Sequence, residues 1–193
     1  MTQLLAADGN ILLWIQSVIR QDMLTPIMRV ITHLGDKGIF WVLLTLALLI
    51  VPKTRKLGIL SACALAFSVT VNNLCLKHII NRTRPYEVIE GLRILVGKPD
   101  DASFPSGHSA ASFASAVALF LGAQTKREKK LFIVLIVLAF LISLSRLYVG
   151  VHYPTDVICG IISGICCAFA GVKLGGYLCE RIGRTRFGKL LGN

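Results

Sequence analysis

Eight residues of this chain have types and spacings that suit chemistry on a dense anion: Lys77, Arg84, Ser106, Gly107, His108, Arg146, His152 and Asp156. Lys77 and Arg84 are about two helical turns apart and can share one helix face; Pro85 then stops that helix. Ser106 and Gly107 open another helix, where free backbone N–H groups form a ready phosphate cradle. Gly107 also lets an oxygen come close to the backbone. Arg146 adds a guanidinium fork that matches phosphate oxygens, and Lys77 a point charge. His152 and Asp156 stand at i, i+4, so the carboxylate can hold one ring nitrogen while the other attacks phosphorus. His108 then serves as the acid that protonates the leaving oxygen. Singly, each residue has a plainer reading. Lys77 and Arg84 can snorkel at an interface, Ser106 can be only an N-cap, and Asp156 can be only a carboxylate at a helix start. Their convergence at one depth of an apolar chain points to a phosphate site.

The elements that must hold these residues are apolar helices. Of 193 residues 54% are hydrophobic and only 16% charged, against about 45–50% and about 25% in soluble domains. Mean hydropathy is +0.70. The apolar excess falls in blocks, Ile39–Val51, Leu57–Leu76, Ala110–Ala123, Leu131–Leu144 and Val157–Leu178. Most approach the ~20 residues that cross a bilayer. The expectation is an all-α, polytopic membrane bundle of about five spans, forming one domain over residues 1–193. Motif residues fall at four separate span ends, within 77–156, and a polar loop covers about 82–104. Residues 1–36 read as amphipathic helices at the membrane interface, with Pro26 in the first turn of the second. The alternative is a sixth span over 11–34, in which Arg20, Asp22 and Arg29 would be costly in lipid.

Charge fixes an expected orientation. "KTRK" carries three Lys and Arg, "TKREKK" four, and the tail over 179–193 has Arg181, Arg184, Arg186 and Lys189. With five spans these segments share one side, the cytoplasmic one by the positive-inside rule. The motif residues then face outward. The net charge of +11 is explained by these short basic loops, so nucleic acid is not an expected partner. The six Cys residues lie in or beside apolar blocks, with no CxxC pair, and read as packing residues. Met1 to Asn10 lacks the basic region of a cleavable signal.

The motif residues resemble the type 2 phosphatidic acid phosphatase superfamily. Its signature is Lys-x6-Arg-Pro, Pro-Ser-Gly-His and Ser-Arg-x5-His-x3-Asp. Here the three parts read KHIINRTRP (Lys77–Pro85), PSGH (Pro105–His108) and SRLYVGVHYPTD (Ser145–Asp156), in order and in register. One such motif is weak; the three together are specific. The resemblance implies that Lys77, Arg84, Arg146, Ser106 and Gly107 bind phosphate and that His152 forms a phosphohistidine oriented by Asp156. His108 would be the acid, then the base for the attacking water. It also implies a membrane-embedded, metal-independent lipid phosphate phosphatase with no cofactor, working among membrane lipids. Undecaprenyl diphosphate is the favoured substrate, with phosphatidylglycerophosphate and phosphatidate as others. In keeping with this, the loop acids Glu87, Glu90, Asp100 and Asp101 show no tight ligand spacing. Three rivals stand beside hydrolysis: phosphotransfer to a lipid or sugar acceptor, vanadate-dependent halide oxidation as in soluble relatives, and lipid binding or transport without chemistry. The apolar blocks oppose the second. The third needs only the cations and leaves His108, His152 and Asp156 without a purpose.

Overall fold

A computed structural model of the chain describes residues 3–184. Every regular element among the described residues is a helix. Helix α1 (Gln3–Trp14) runs on through a wider-wound turn, Ile15–Ile19, and is followed by α2 (Leu24–Leu34) and α3 (Ile39–Ile50). Helix α4 (Arg55–Ser68) continues through a π-helical stretch, Val69–Leu76, into α5 (Lys77–Ile80). Asn81, in the left-handed region at φ 41, ends that run. A single-turn helix, α6 (Pro85–Val88), then precedes the polar loop. Three helices complete the chain: α7 (Gly107–Gly122), α8 (Lys126–Tyr148) and α9 (Pro154–Gly183).

Local sequence explains these starts. Thr125 and Glu128 form a reciprocal capping box on α8, with N–H···O distances of 3.1 and 3.0 Å. Pro154 occupies the first turn of α9, where its missing N–H costs nothing. Helix α9 packs on α7 and α4 through a stripe of small residues. A Cβ placed on Gly164 would lie 2.5 Å from the Ala110 carbonyl oxygen, so only glycine permits this approach. Buried hydroxyls tie α3, α4 and α7 together. The Trp41 indole N–H donates to Ser112 at 2.8 Å, and Ser61 lies 2.7 Å from Thr45 and 2.8 Å from Ser115.

Outward faces of α8 and α9 carry exposed Leu131, Val134, Val137, Phe140, Ile158, Ile162 and Phe169, a surface suited to lipid. Among the described residues three segments are long and apolar enough to cross a membrane: the helical run within Pro52–Val88, Lys126–Tyr148 and Pro154–Gly183. The chain is thus an all-α membrane bundle. The span expected at 38–52 is different in form. Helix α3 has 12 residues, about 18 Å, against a hydrocarbon core of about 30 Å. It reaches spanning length only with α2, to which it is joined by a 44° bend. Leu24–Leu34 is therefore one limb of a bent apolar unit. Helix α7 is also short, at 16 residues, and packs against α4, α8 and α9.

Of the polar residues that make 11–34 costly in lipid, Arg20 finds partners in the protein, while Asp22 and Arg29 are exposed. Arg20 Nε donates to the Tyr148 carbonyl at 2.8 Å, and its Nη1 to that of Arg93 at 2.6 Å. The N-terminal segment thereby lies over the bundle end where α8 stops and α9 starts. Of the basic tail, Arg181 and Arg184 close α9, while Arg186 and Lys189 fall outside the described residues.

Candidate active site

The eight residues chosen from sequence meet at that same end. His152, in the turn between α8 and α9, is buried with 2% exposure. Its Nε2 is 3.5 Å from Arg84 Nη1 and its Nδ1 is 3.6 Å from Asp156 Oδ2. The second separation exceeds a hydrogen bond, and Nδ1 is buried without a hydrogen-bond partner. Asp156, fully buried at the start of α9, is held by three donors. Oδ2 accepts from Ser103 Oγ at 2.5 Å and from the Tyr153 N–H at 2.9 Å; Oδ1 accepts from Arg82 Nη1 at 2.6 Å. Arg82 itself is clamped by Asp8 Oδ2 at 2.9 Å and Thr155 Oγ1 at 2.7 Å, and lies 3.8 Å from the Tyr153 ring centroid.

The cations surround the His. Arg84 donates to the Val151 carbonyl at 2.7 Å and to Asp101, at 2.8 Å to the carbonyl and 2.5 Å to Oδ1. Lys77 ion-pairs with the other oxygen of the same carboxylate. Arg146 is 3% exposed. Its Nη1 donates to Thr32 Oγ1 at 2.6 Å, while its Nε has no partner. A buried guanidinium with an unpaired N–H is a standing demand for an anion. A Cβ on Gly107 would lie 3.9 Å from Lys77 Nζ, so the start of α7 adjoins the cations. His108 Nε2 is 3.0 Å from Asp36 Oδ1.

Ser106 differs from the expected cradle. Its N–H is engaged by the Asp156 carbonyl at 3.0 Å, and its Oγ accepts from Ser109 N at 3.4 Å. It acts as the N-cap of α7 and links α7 to α9. The N–H groups without a protein acceptor at this helix start, among the described residues, are those of Gly107 and His108.

Protonation follows from this geometry. Burial pushes His152 down to about 3; the Asp156 carboxylate opposes the shift, and Arg146 and Arg84 add to it. The ring is a neutral imidazole at neutral pH. For Asp101, burial acts upward, but hydrogen bonds and charge from Lys77 and Arg84 outweigh it and hold the carboxyl at about 2. A permanently charged carboxylate thus spans two of the cations. A cavity of about 440 Å³ is lined by Arg82, Arg84, Lys98 and Asp101, so Asp101 and one of the cations it pairs with both border this opening. Sequence reasoning missed Asp8, Thr32, Asp36, Arg82, Asp101 and Ser103. The one local signal was Arg82, two residues before Arg84 in the first motif.

The site thus sets a neutral, buried His beside a buried carboxylate and three cations. The PAP2 superfamily profile matches residues 57–178. The chain belongs to the PAP2 superfamily. An undecaprenyl-diphosphatase of Sulfolobus acidocaldarius is 35% identical over 134 residues, which are 69% of this chain and 63% of that protein. Phosphatidylglycerophosphatase B of Bacillus subtilis is 34% identical over 157 residues, 77% of this chain and 73% of that one. The crystal structure of a transmembrane PAP2-type phosphatidylglycerolphosphate phosphatase from Bacillus subtilis superposes with a TM-score of 0.73 at 30% identity, covering 96% of this chain and 90% of that one.

Proposed function

We propose that this chain is a metal-independent lipid phosphate phosphatase that works through a phosphohistidine on His152. The observation that carries the reading is the buried, neutral His152 set between Arg84 and Asp156. Nε2 attacks phosphorus while Lys77, Arg84, Arg146 and the N–H groups of Gly107 and His108 take the charge of the equatorial oxygens. The N–P bond forms as the bond to the leaving oxygen breaks, and His108 supplies the proton to that oxygen. Positive charge developing on His152 draws Asp156 to Nδ1, which closes the present 3.6 Å gap; catalytic hydrogen bonds are often long before substrate binds. Water then attacks the phosphohistidine, His108 takes its proton, and the N–P bond breaks. The cations fill the electrostatic role a metal has elsewhere. No cofactor enters this scheme.

The substrate we favour is undecaprenyl diphosphate, the substrate in the name of the Sulfolobus acidocaldarius relative; phosphatidylglycerophosphate and phosphatidate share the same headgroup chemistry. The site at a bundle end lets a headgroup enter while its tails stay in the bilayer. We place the protein in the plasma membrane with the site on the outer face. A panel of these three lipids, offered to purified protein in excess EDTA, tests the reading. Phosphate release from at least one of them is the expected result. Activity lost to EDTA and restored by Mg²⁺ would overturn the metal-independent scheme.

A further inference from the structure

We propose that Asp36 is the positioning carboxylate of His108, so that the site contains two His–carboxylate pairs, one for the nucleophile and one for the acid and base. The inference rests on the phosphatase reading. Asp36 Oδ1 is 3.0 Å from His108 Nε2, and Oδ2 is 2.7 Å from Nδ1 of His33. Asp36 and His108 are 72 residues apart, so the fold, not chain proximity, makes the contact. The approach is built in. Gly35 lies so close to the imidazole that a Cβ there would come within 2.6 Å of His108 Cδ2 and 2.7 Å of Ile142 Cγ2. Lys37 and Gly38 follow in the left-handed region, at φ 51 and 68, a conformation a lysine adopts only at some cost. This turn joins α2 to α3 and rests on α7.

The chemistry needs such a partner. His108 is only 17% exposed and has Lys77 of α5 and Arg146 of α8 as charged neighbours; Asp36, shared with His33 of α2, is the carboxylate among the charged groups around it. Burial and two cations oppose a positive charge on the ring, and the Asp36 carboxylate is the group that favours it. With Asp36 holding Nε2–H, Nδ1 is the nitrogen that exchanges protons. With the ring entering as the imidazolium, it gives its proton to the leaving oxygen as that oxygen's bond to phosphorus breaks. It takes one from water as the N–P bond of His152 breaks. Asp36 gains no proton in either step; it fixes the ring and its charge.

The test is a double-mutant cycle in the full chain, read with two leaving groups. With dioctanoyl phosphatidate, whose leaving alkoxide needs a proton, Asp36→Asn should lower kcat/KM about 10- to 100-fold, part of the ~10²–10⁴ that general acids provide. With p-nitrophenyl phosphate, whose leaving group needs little help, the loss should be severalfold at most. His108→Ala should show the same selectivity, and the double variant should be no slower than His108→Ala alone. Equal losses with both substrates, or multiplied losses in the double variant, would make Asp36 a structural residue and overturn the proposal. Vanadate binding checks that each variant is folded. A second measurement does not depend on turnover or on the variants. Ring ¹⁵N shifts of His108 in the wild type, read where the ring is neutral, should report the Nε2–H tautomer, and the Nδ1–H form overturns the pairing. A chain that releases phosphate from neither of these substrates nor from undecaprenyl diphosphate would overturn the phosphatase reading, with the pairing still decided by the ring shifts.

Discussion

Full burial decides how His152 behaves, because an imidazolium without water is costly. In the proposed reaction His152 therefore enters neutral, with a lone pair ready for phosphorus. His152→Ala should abolish turnover by purified protein while leaving its helical circular dichroism unchanged; substantial residual activity would sink the covalent mechanism. The same burial makes acid destabilising. The folded state holds His152 at about 3, whereas the unfolded chain protonates it near ~6.5. Between those values the unfolded state binds more protons, so stability falls as pH drops through that window. Asp101, held at about 2 against ~3.8 when unpaired, adds a loss only at still lower pH. Thermal midpoints in detergent should thus decline steadily from pH 7 to pH 4; a flat profile would contradict a buried neutral His152. Asp101 also pairs with two of the cations proposed to bind phosphate. Asp101→Asn should tighten inhibition by vanadate, and weaker inhibition would show that Asp101 organises Lys77 and Arg84 for the anion. The contrast with the sequence reading is instructive. His152 and Asp156 were legible because an i, i+4 spacing is local. Asp101 looked like one loop acid among four, and Asp36 belonged to a segment read as a surface anchor. Their partners are set by tertiary contact, which spacing does not encode.

Helix α9 organises the bundle through its small residues. Gly160 and Gly164 face α7, and Gly171 and Gly175 face α4. Gly176, one residue along, has nothing within 4 Å of where a Cβ would stand. Gly164→Leu and Gly176→Leu therefore make a matched pair, since both add the same apolar side chain to the same helix. The first should destabilise by at least the ~1–3 kcal/mol typical of overpacking and lower the thermal midpoint in detergent; the second should leave it unchanged. Equal effects would mean that α9 is not packed through this stripe. Helix α9 also carries Asp156, so a loosened α7–α9 contact should cost activity through the Ser106–Asp156 backbone bond before the protein unfolds. The apolar blocks made α4, α8 and α9 readable, since a long hydrophobic run has few other uses. The union of α2 with α3 was not readable. Gly35 and Asp36 look like a polar boundary in sequence, and the closeness of His108 that requires a glycine there appears only in three dimensions.

The molecule has two chemically distinct ends, and this bears on its orientation. One end gathers Lys77, Arg84, His108, Arg146, His152 and Asp156. At the other, a second cavity is lined by Lys53 and Lys56, by Gln124 and Glu128, and by Glu180 and Gly183. The α3–α4 turn, the α7–α8 turn and the end of α9 are therefore neighbours in space. "KTRK" and "TKREKK" carry seven Lys and Arg between them, and such clusters stay cytoplasmic. On the proposed orientation the site end faces outward, where a lipid phosphate of the outer leaflet could enter without being flipped. Cysteine labelling in intact cells tests this, after replacement of the six native Cys. Lys98, exposed in the loop beside the site, and Lys129, exposed in the first turn of α8, are the reporter positions. With Lys98→Cys an impermeant maleimide should react at once; with Lys129→Cys it should react only after the membrane is opened. The reverse pattern would put the phosphate site in the cytoplasm and move its substrate to the inner leaflet. Labelling of both in intact cells would mean that the two ends are not separated by the bilayer, and would overturn the placement of α4, α7, α8 and α9 as crossings.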